Sequence, residues 1–116
     1  MLLAALWAAP AGGLAVFALR GGGQPPAELG RLVQPALAKA NRVVVLEGGA
    51  RALLPLEVHP GGLALVDVSD ARAPRLLAHR HFTGPRDTCY CACAKGRVVY
   101  AFAAKASELS VFEIVG

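Results

Sequence analysis

Three short clusters hold the side chains that could do chemistry. Asp67, Ser69 and Asp70 place two carboxylates and a hydroxyl within one short run. Paired carboxylates serve general acid–base catalysis when a cleft pushes their pKa values apart. His79 and His81 alternate along the chain, as do Cys89, Cys91 and Cys93. On a strand such spacing puts all members on one face. His and Cys are also the ligands zinc prefers.

Each cluster has a plainer reading. Asp and Ser side chains bond nearby backbone amides and so end strands and build turns. Asp67, Ser69 and Asp70, followed by Pro74 with its fixed φ, therefore read as a structural turn. The Cys-x-Cys-x-Cys run reads as a strand whose thiols point into the core, where small apolar groups pack well. Neighbouring thiols on one strand stand too far apart to bridge easily. His79, His81, Cys89, Cys91 and Cys93 remain the candidate metal ligands. Their spacing follows no finger or ribbon pattern, and the two strands would have to be in register. No catalytic residue and no cofactor is assigned.

The elements that must position these residues repeat. Leu14–Leu19 (Leu-Ala-Val-Phe-Ala-Leu), Leu63–Val68 (Leu-Ala-Leu-Val-Asp-Val) and Leu109–Ile114 (Leu-Ser-Val-Phe-Glu-Ile) start 49 residues (63 − 14) and then 46 residues (109 − 63) apart. Gly12-Gly13 precedes the first copy and Gly61-Gly62 the second. Ala38–Val45 resembles Ala94–Tyr100, and both read as a strand, a tight turn and a strand. Asn41 and Gly96 occupy the turns, where positive φ is tolerated. Between Asp70 and the end lie four strand-like runs: Arg75–Phe82, Cys89–Ala94, Val98–Ala103 and Leu109–Ile114. Four strands per period, with no helix-length amphipathic pattern, predict radially repeated four-stranded sheets.

The best-preserved copy also resembles a known family. Gly62-Leu63-Ala64-Leu65-Val66-Asp67-Val68-Ser69-Asp70, followed by Pro74-Arg75-Leu76-Leu77, is similar to the LVIVD repeat of β-propeller proteins. Gly84-Pro85-Arg86-Asp87 and Gly96–Ala101 resemble the rest of that blade. Ala71 stands where the family has its first Pro, and Ala18-Leu19-Arg20-Gly21 replaces the Asp-x-Ser-Asp signature in the first copy. The resemblance implies an all-β fold of antiparallel four-stranded blades. Its motif is structural and transfers no catalytic residue.

The chain, 116 residues long, then reads as one β-propeller segment over 1–116. Its repeat units run approximately 14–62 and 63–108, with partial strands at both ends. That amounts to about two to two and a half blades of an incomplete ring, because closure takes about four to eight. The expected function is a non-catalytic scaffold for protein interaction. The alternative is a fragment of a propeller-type enzyme, a hydrolase or lactonase-like protein, whose site lies mostly in other blades. A protein partner or the remaining blades are the expected contacts, together with self-association through exposed blade faces.

Composition narrows the partners. Apolar residues make up 55% of the chain and charged residues 17%, below the usual quarter for a soluble domain. The net charge of +4 is carried by residues scattered over turns. A nucleic-acid surface would cluster them with stacking aromatics, so nucleic acid is not expected. Pro10, Gly12 and Gly13 interrupt the uncharged N-terminal run, which argues against a membrane span. Leu2–Ala11 would make the protein secreted if it were a signal peptide. No basic residue precedes it, and Ala5–Leu19 matches Tyr100–Ile114 without a gap, so it reads as a strand and a cytoplasmic protein is favoured.

Two further stretches stand out. Gly21–Pro26 lacks the Gly-Lys-Ser/Thr ending of a phosphate loop and reads as an interstrand turn. Glu47–Pro60, unusually apolar, reads as an insertion between two strands that caps a blade edge or docks a partner.

Overall fold

The computed structural model describes residues 1–58, 61–81, 88–103 and 108–115. These residues form ten strands and one short 3-10 turn, Pro35–Leu37. The strands are β1 (Leu2–Leu6), β2 (Gly12–Ala18), β3 (Ala27–Gln34), β4 (Val44–Val45), β5 (Arg51–Leu56), β6 (Gly62–Asp67), β7 (Arg75–His81), β8 (Cys91–Lys95), β9 (Val98–Ala103) and β10 (Glu108–Glu113). The protein is all-β, and every pairing is antiparallel.

Each strand pairs only with its neighbours along the chain. The first sheet is β1–β2–β3, the central sheet β4–β5–β6–β7, and the third β8–β9–β10. Two cores lie between them. Leu14 and Val16 of the first sheet pack with Leu54, Leu56, Ala64 and Val66 of the central sheet. On the other face of the central sheet, Leu53 and Leu63 pack with Val99, Ala101 and Ile114. The central sheet is therefore buried on both faces, and the three sheets form a stack.

The strand expectations at Arg75–Phe82, Val98–Ala103 and Leu109–Ile114 agree with β7, β9 and β10 to within two residues. Phe82 and the Gly84–Asp87 motif lie outside the described residues.

Two expectations fail. Ala38–Val45 is not a hairpin. Only Val44–Val45 is strand, and Ala40 makes an isolated bridge to Leu56. The positive φ in this stretch belongs to Lys39, at 54°. The real counterpart of the Gly96 turn is Gly48–Gly49, with φ of 87° and 75°. There the Leu46 N–H donates to the Arg51 carbonyl at 2.9 Å and the Gly49 N–H to the Leu46 carbonyl at 2.9 Å.

Nor is Glu47–Pro60 an inserted loop, because it contains β5. Burial on both faces erases the apolar–polar alternation of that strand, and Pro55 reads as a break. The Asn41 N–H donates to the Pro55 carbonyl at 3.2 Å. The backbone of Pro55 thus faces away from β6, and its missing N–H costs no bond in that ladder. His59 and Pro60 lie outside the described residues.

The repeat is also written in the backbone. Register shifts fall between Val16 and Phe17 in β2 and between Leu65 and Val66 in β6, 49 residues apart (65 − 16). In the first, Leu29 is the extra residue of β3; in the second, Leu77 is the extra residue of β7. A Cβ on Gly13 would lie 1.8 Å from the Leu32 carbonyl oxygen, and one on Gly62 would lie 1.9 Å from that of Arg80. The two glycines stand 49 residues apart (62 − 13) at the start of the repeated strand, second in β2 and first in β6, against the same kind of neighbour.

Candidate functional site

The Asp67 cluster sits where β6 ends. Its Oδ1 accepts the Ser69 N–H at 2.9 Å and the Ser69 hydroxyl at 2.6 Å. Oδ2 accepts Arg75 Nη2–H at 3.1 Å and Nε–H at 3.2 Å. Asp70 Oδ1 accepts the Arg72 N–H at 3.0 Å, and the chain passes through buried Pro74 into β7. Both carboxylates are thus engaged by their own turn.

The Ser69 bonds, more than the Arg75 bonds, hold the Asp67 carboxyl down at about 2, from 3.8. A carboxylate depressed in the folded state stabilises it above the unfolded pKa and loses that contribution as pH falls toward the folded one. Asp67 therefore supports the fold at neutral pH, and its share disappears between pH 3.8 and about 2. Acid unfolding followed by circular dichroism should show Asp67→Asn less stable than wild type at neutral pH. The difference should shrink through that window, and parallel profiles would contradict the assignment.

The histidines and cysteines do not meet. His79 and His81 share one face of β7, with ring centroids 3.9 Å apart. His79 is paired in register with Ala64, on the face turned toward the first sheet. Burial, and secondarily His81, pull His79 below the ordinary imidazole range. Its Nε2 is buried and unbonded.

The cysteine reading needs correction. Cys89 lies before β8, fully buried in the core between the central and third sheets. Burial pushes its thiol up to about 12. Ala92 and Ala94 are the residues of β8 that pack on that core, so Cys91 and Cys93 occupy the opposite, outward face. Strands β7 and β8 belong to different sheets, so no register brings their side chains together. Among the described residues no three His, Cys, Asp or Glu side chains gather to hold a metal ion.

Two arrangements were not legible in the sequence. One is a cleft of about 760 Å³ between the central and third sheets. It is lined by Leu53, Leu63, Leu65, Arg80, Phe112 and Ile114 among others. Arg80 spans it, with its guanidinium 5.4 Å from the Phe112 ring centroid. The lining is aliphatic on the β6 side and polar at His79, Arg80, Ser110 and Glu113.

The other is a cluster at the end of the stack where β1 and β5 finish. Trp7 Nε1–H donates to Glu57 at 3.1 Å, and Lys39 Nζ lies 5.2 Å from the Trp7 ring. The Lys39 N–H donates to the Ala8 carbonyl at 2.8 Å, and the Glu57 N–H to the Lys39 carbonyl at 3.0 Å. Asn41 Nδ2–H donates to the Tyr90 carbonyl at 2.7 Å, with Arg42 5.9 Å from the Tyr90 ring. The connection from β3 to β4 thereby laces all three sheets together. Trp7 and Glu57 are 50 residues apart, and no local pattern announces such a contact.

Exposed apolar side chains gather on the two outer sheet faces. On the third sheet the register groups Cys91, Phe102 and Leu109 in one cross-strand row and Cys93, Tyr100 and Val111 in the next. Val111 is 59% exposed and Leu109 63%. On the first sheet, Leu2 pairs with Phe17, and Leu6 and Val33 flank Gly13; Leu2 and Val33 are exposed, and the Glu28–Arg31 ion pair lies on the same face, in register with Phe17 and Ala15. No helix among the described residues is long and apolar enough to cross a membrane.

Comparison with protein-family models, with curated proteins and with solved structures gave no match.

Proposed function

We propose that this chain is a β-propeller segment, related to the LVIVD-repeat proteins, that works as a non-catalytic protein-interaction scaffold. The observation that carries this reading is the stacking of the sheets. Both sheet–sheet contacts use the same pair of faces. The face bearing Leu14 and Val16 in β2 meets the next sheet, and so does the face bearing Leu63 and Leu65 in β6. Successive antiparallel sheets that meet through the same pair of faces are the arrangement expected of blades. The expected four strands per sheet are present in the central sheet alone, the first and third sheets having three each.

The polar residues support a scaffold over an enzyme. Asp67, Ser69 and Asp70 are spent on a turn. The broad exposed features are the two outer sheet faces. Apolar patches of this kind mark sites of protein contact.

Photo-crosslinking tests the reading. A photoreactive phenylalanine analogue at Val111 or at Val33 should give protein adducts in cells that make the chain natively. The same group at exposed Glu47, on the β4–β5 turn, serves as the control. Adduct yields at both faces no higher than at Glu47 would overturn the scaffold reading.

A further inference from the structure

We infer that the outer face of the third sheet binds the outer face of the first sheet of a second copy of this chain, head to tail. The inference rests on the stacked-blade reading above. It follows from how the two internal contacts are built.

Each sheet has a leading face, defined by the first and third residues of the repeated Leu-x-aliphatic run. These are Leu14 and Val16, then Leu63 and Leu65, then Leu109 and Val111. The leading face of the first sheet covers the trailing face of the central sheet, with Leu54, Leu56 and Val66. The leading face of the central sheet covers the trailing face of the third, with Val99, Ala101 and Phe112. One leading face and one trailing face are left over, and they lie at opposite ends of the stack.

The leftover faces match their internal counterparts along two strands of each sheet, β9–β10 and β1–β2 against β5–β6, while on β3 the outward positions Glu28, Arg31 and Val33 stand where Leu76, His79 and His81 stand in β7. On the third sheet, Leu109 and Val111 stand where Leu63 and Leu65 stand in the central sheet. Tyr100 and Phe102 of β9 stand where Leu53 and Pro55 stand in β5, 47 residues earlier (100 − 53). On the first sheet, Leu2 and Leu6 of β1 stand where buried Ala52 and Leu56 stand in β5, 50 residues later (52 − 2). Ala15 and Phe17 stand where Ala64 and Val66 do. A surface of the kind that leading faces cover inside the chain is therefore open at one end, and the face that covers such a surface is open at the other.

A contact of this type is heterologous, and it closes into a ring when the rotation between units allows. Two copies hold six sheets, two of four strands and four of three, and six is inside the range at which radially repeated sheets close. We therefore assign the assembly to two copies.

The experiment uses the full chain, with mass read by light scattering and native mass spectrometry. Wild type should run at twice the chain mass. Val111→Glu, on the leading face, and Val33→Glu, on the trailing face, should each halve it. Mixing the two variants should restore the double mass, because one intact pair of faces remains between them. Leu109→Glu and Leu2→Glu, at positions 63% and 44% exposed, form a second pair should either first variant fail to fold by circular dichroism.

A monomeric wild type would overturn the inference, as would a Val33→Glu variant that stays dimeric, or variants that do not complement. A monomeric wild type whose Val111 and Val33 positions still crosslink to a different protein would leave the scaffold reading standing and remove only this one.

Discussion

Gly62→Ala is expected to cost at least about 3 kcal/mol of folding stability, at the upper end of what overpacking does. The added Cβ would lie 1.9 Å from the Arg80 carbonyl oxygen and 2.8 Å from its carbon. Both are backbone atoms, so no side chain can swing away. Either β7 moves by more than an ångström or its pairing at Leu63–Arg80 and Gly62–His81 breaks. Breaking it removes the outer strand of the central sheet and uncovers the Arg80–Phe112 contact. Gly21→Ala is the matched control, since a Cβ there meets nothing within 4 Å. The readout is the urea midpoint of each variant. Equal midpoints for the two would mean that the close approach of β6 and β7 does not exist in solution. Gly13→Ala should behave like Gly62→Ala, because its Cβ would meet the Leu32 carbonyl in the same way.

The second large effect falls on Leu54. This side chain is fully buried between the first and central sheets. Leu→Ala in a packed core costs about 2–5 kcal/mol, from lost transfer energy and from the cavity left behind. Leu54 should sit in the upper part of that range. Its strand is paired on both sides and covered on both faces, so the surroundings have little freedom to collapse. The loss should be specific in place as well as size. Amide exchange in β1–β3 should rise more than in β8–β10, since the third sheet is held by the other core. Val45→Ala, at a position 55% exposed, should change stability by no more than about 0.5 kcal/mol. A Leu54→Ala variant that loses less than about 1 kcal/mol, or loosens all three sheets equally, would contradict this division into two cores.

The sequence was most legible where a strand has one covered face. In β9 and β10 the alternation of Val99 and Ala101 with Tyr100 and Phe102, and of Phe112 with Val111, is the period-two signal itself. It failed where a strand has two covered faces. Leu53-Leu54-Pro55-Leu56 shows no alternation, and its proline imitates a loop, so the best-buried strand of the molecule read as an insertion. The same misplacement put a turn at Asn41, whereas the true turn at Gly48–Gly49 carries the stronger glycine signal.

The side-chain clusters were legible only as far as they were local. Asp67, Ser69, Asp70 and Arg75 lie within nine positions, and their bonds follow from the short-range habits of Asp and Ser. The spacing of Cys89, Cys91 and Cys93 suggested a shared face, but a strand that starts at Cys91 separates the first from the others. The contacts of Trp7, Lys39 and Glu57 depend on how sheets stack, which no short window of sequence contains.

The neighbour-only strand pairing bears on the route by which the chain folds. No sheet needs a segment from far along the sequence, so closing each hairpin orders only a short loop and the entropy cost stays small. Each sheet can assemble as soon as its own strands exist. The long-range step is the docking of finished sheets onto one another through Leu54 on one side and Leu63 on the other.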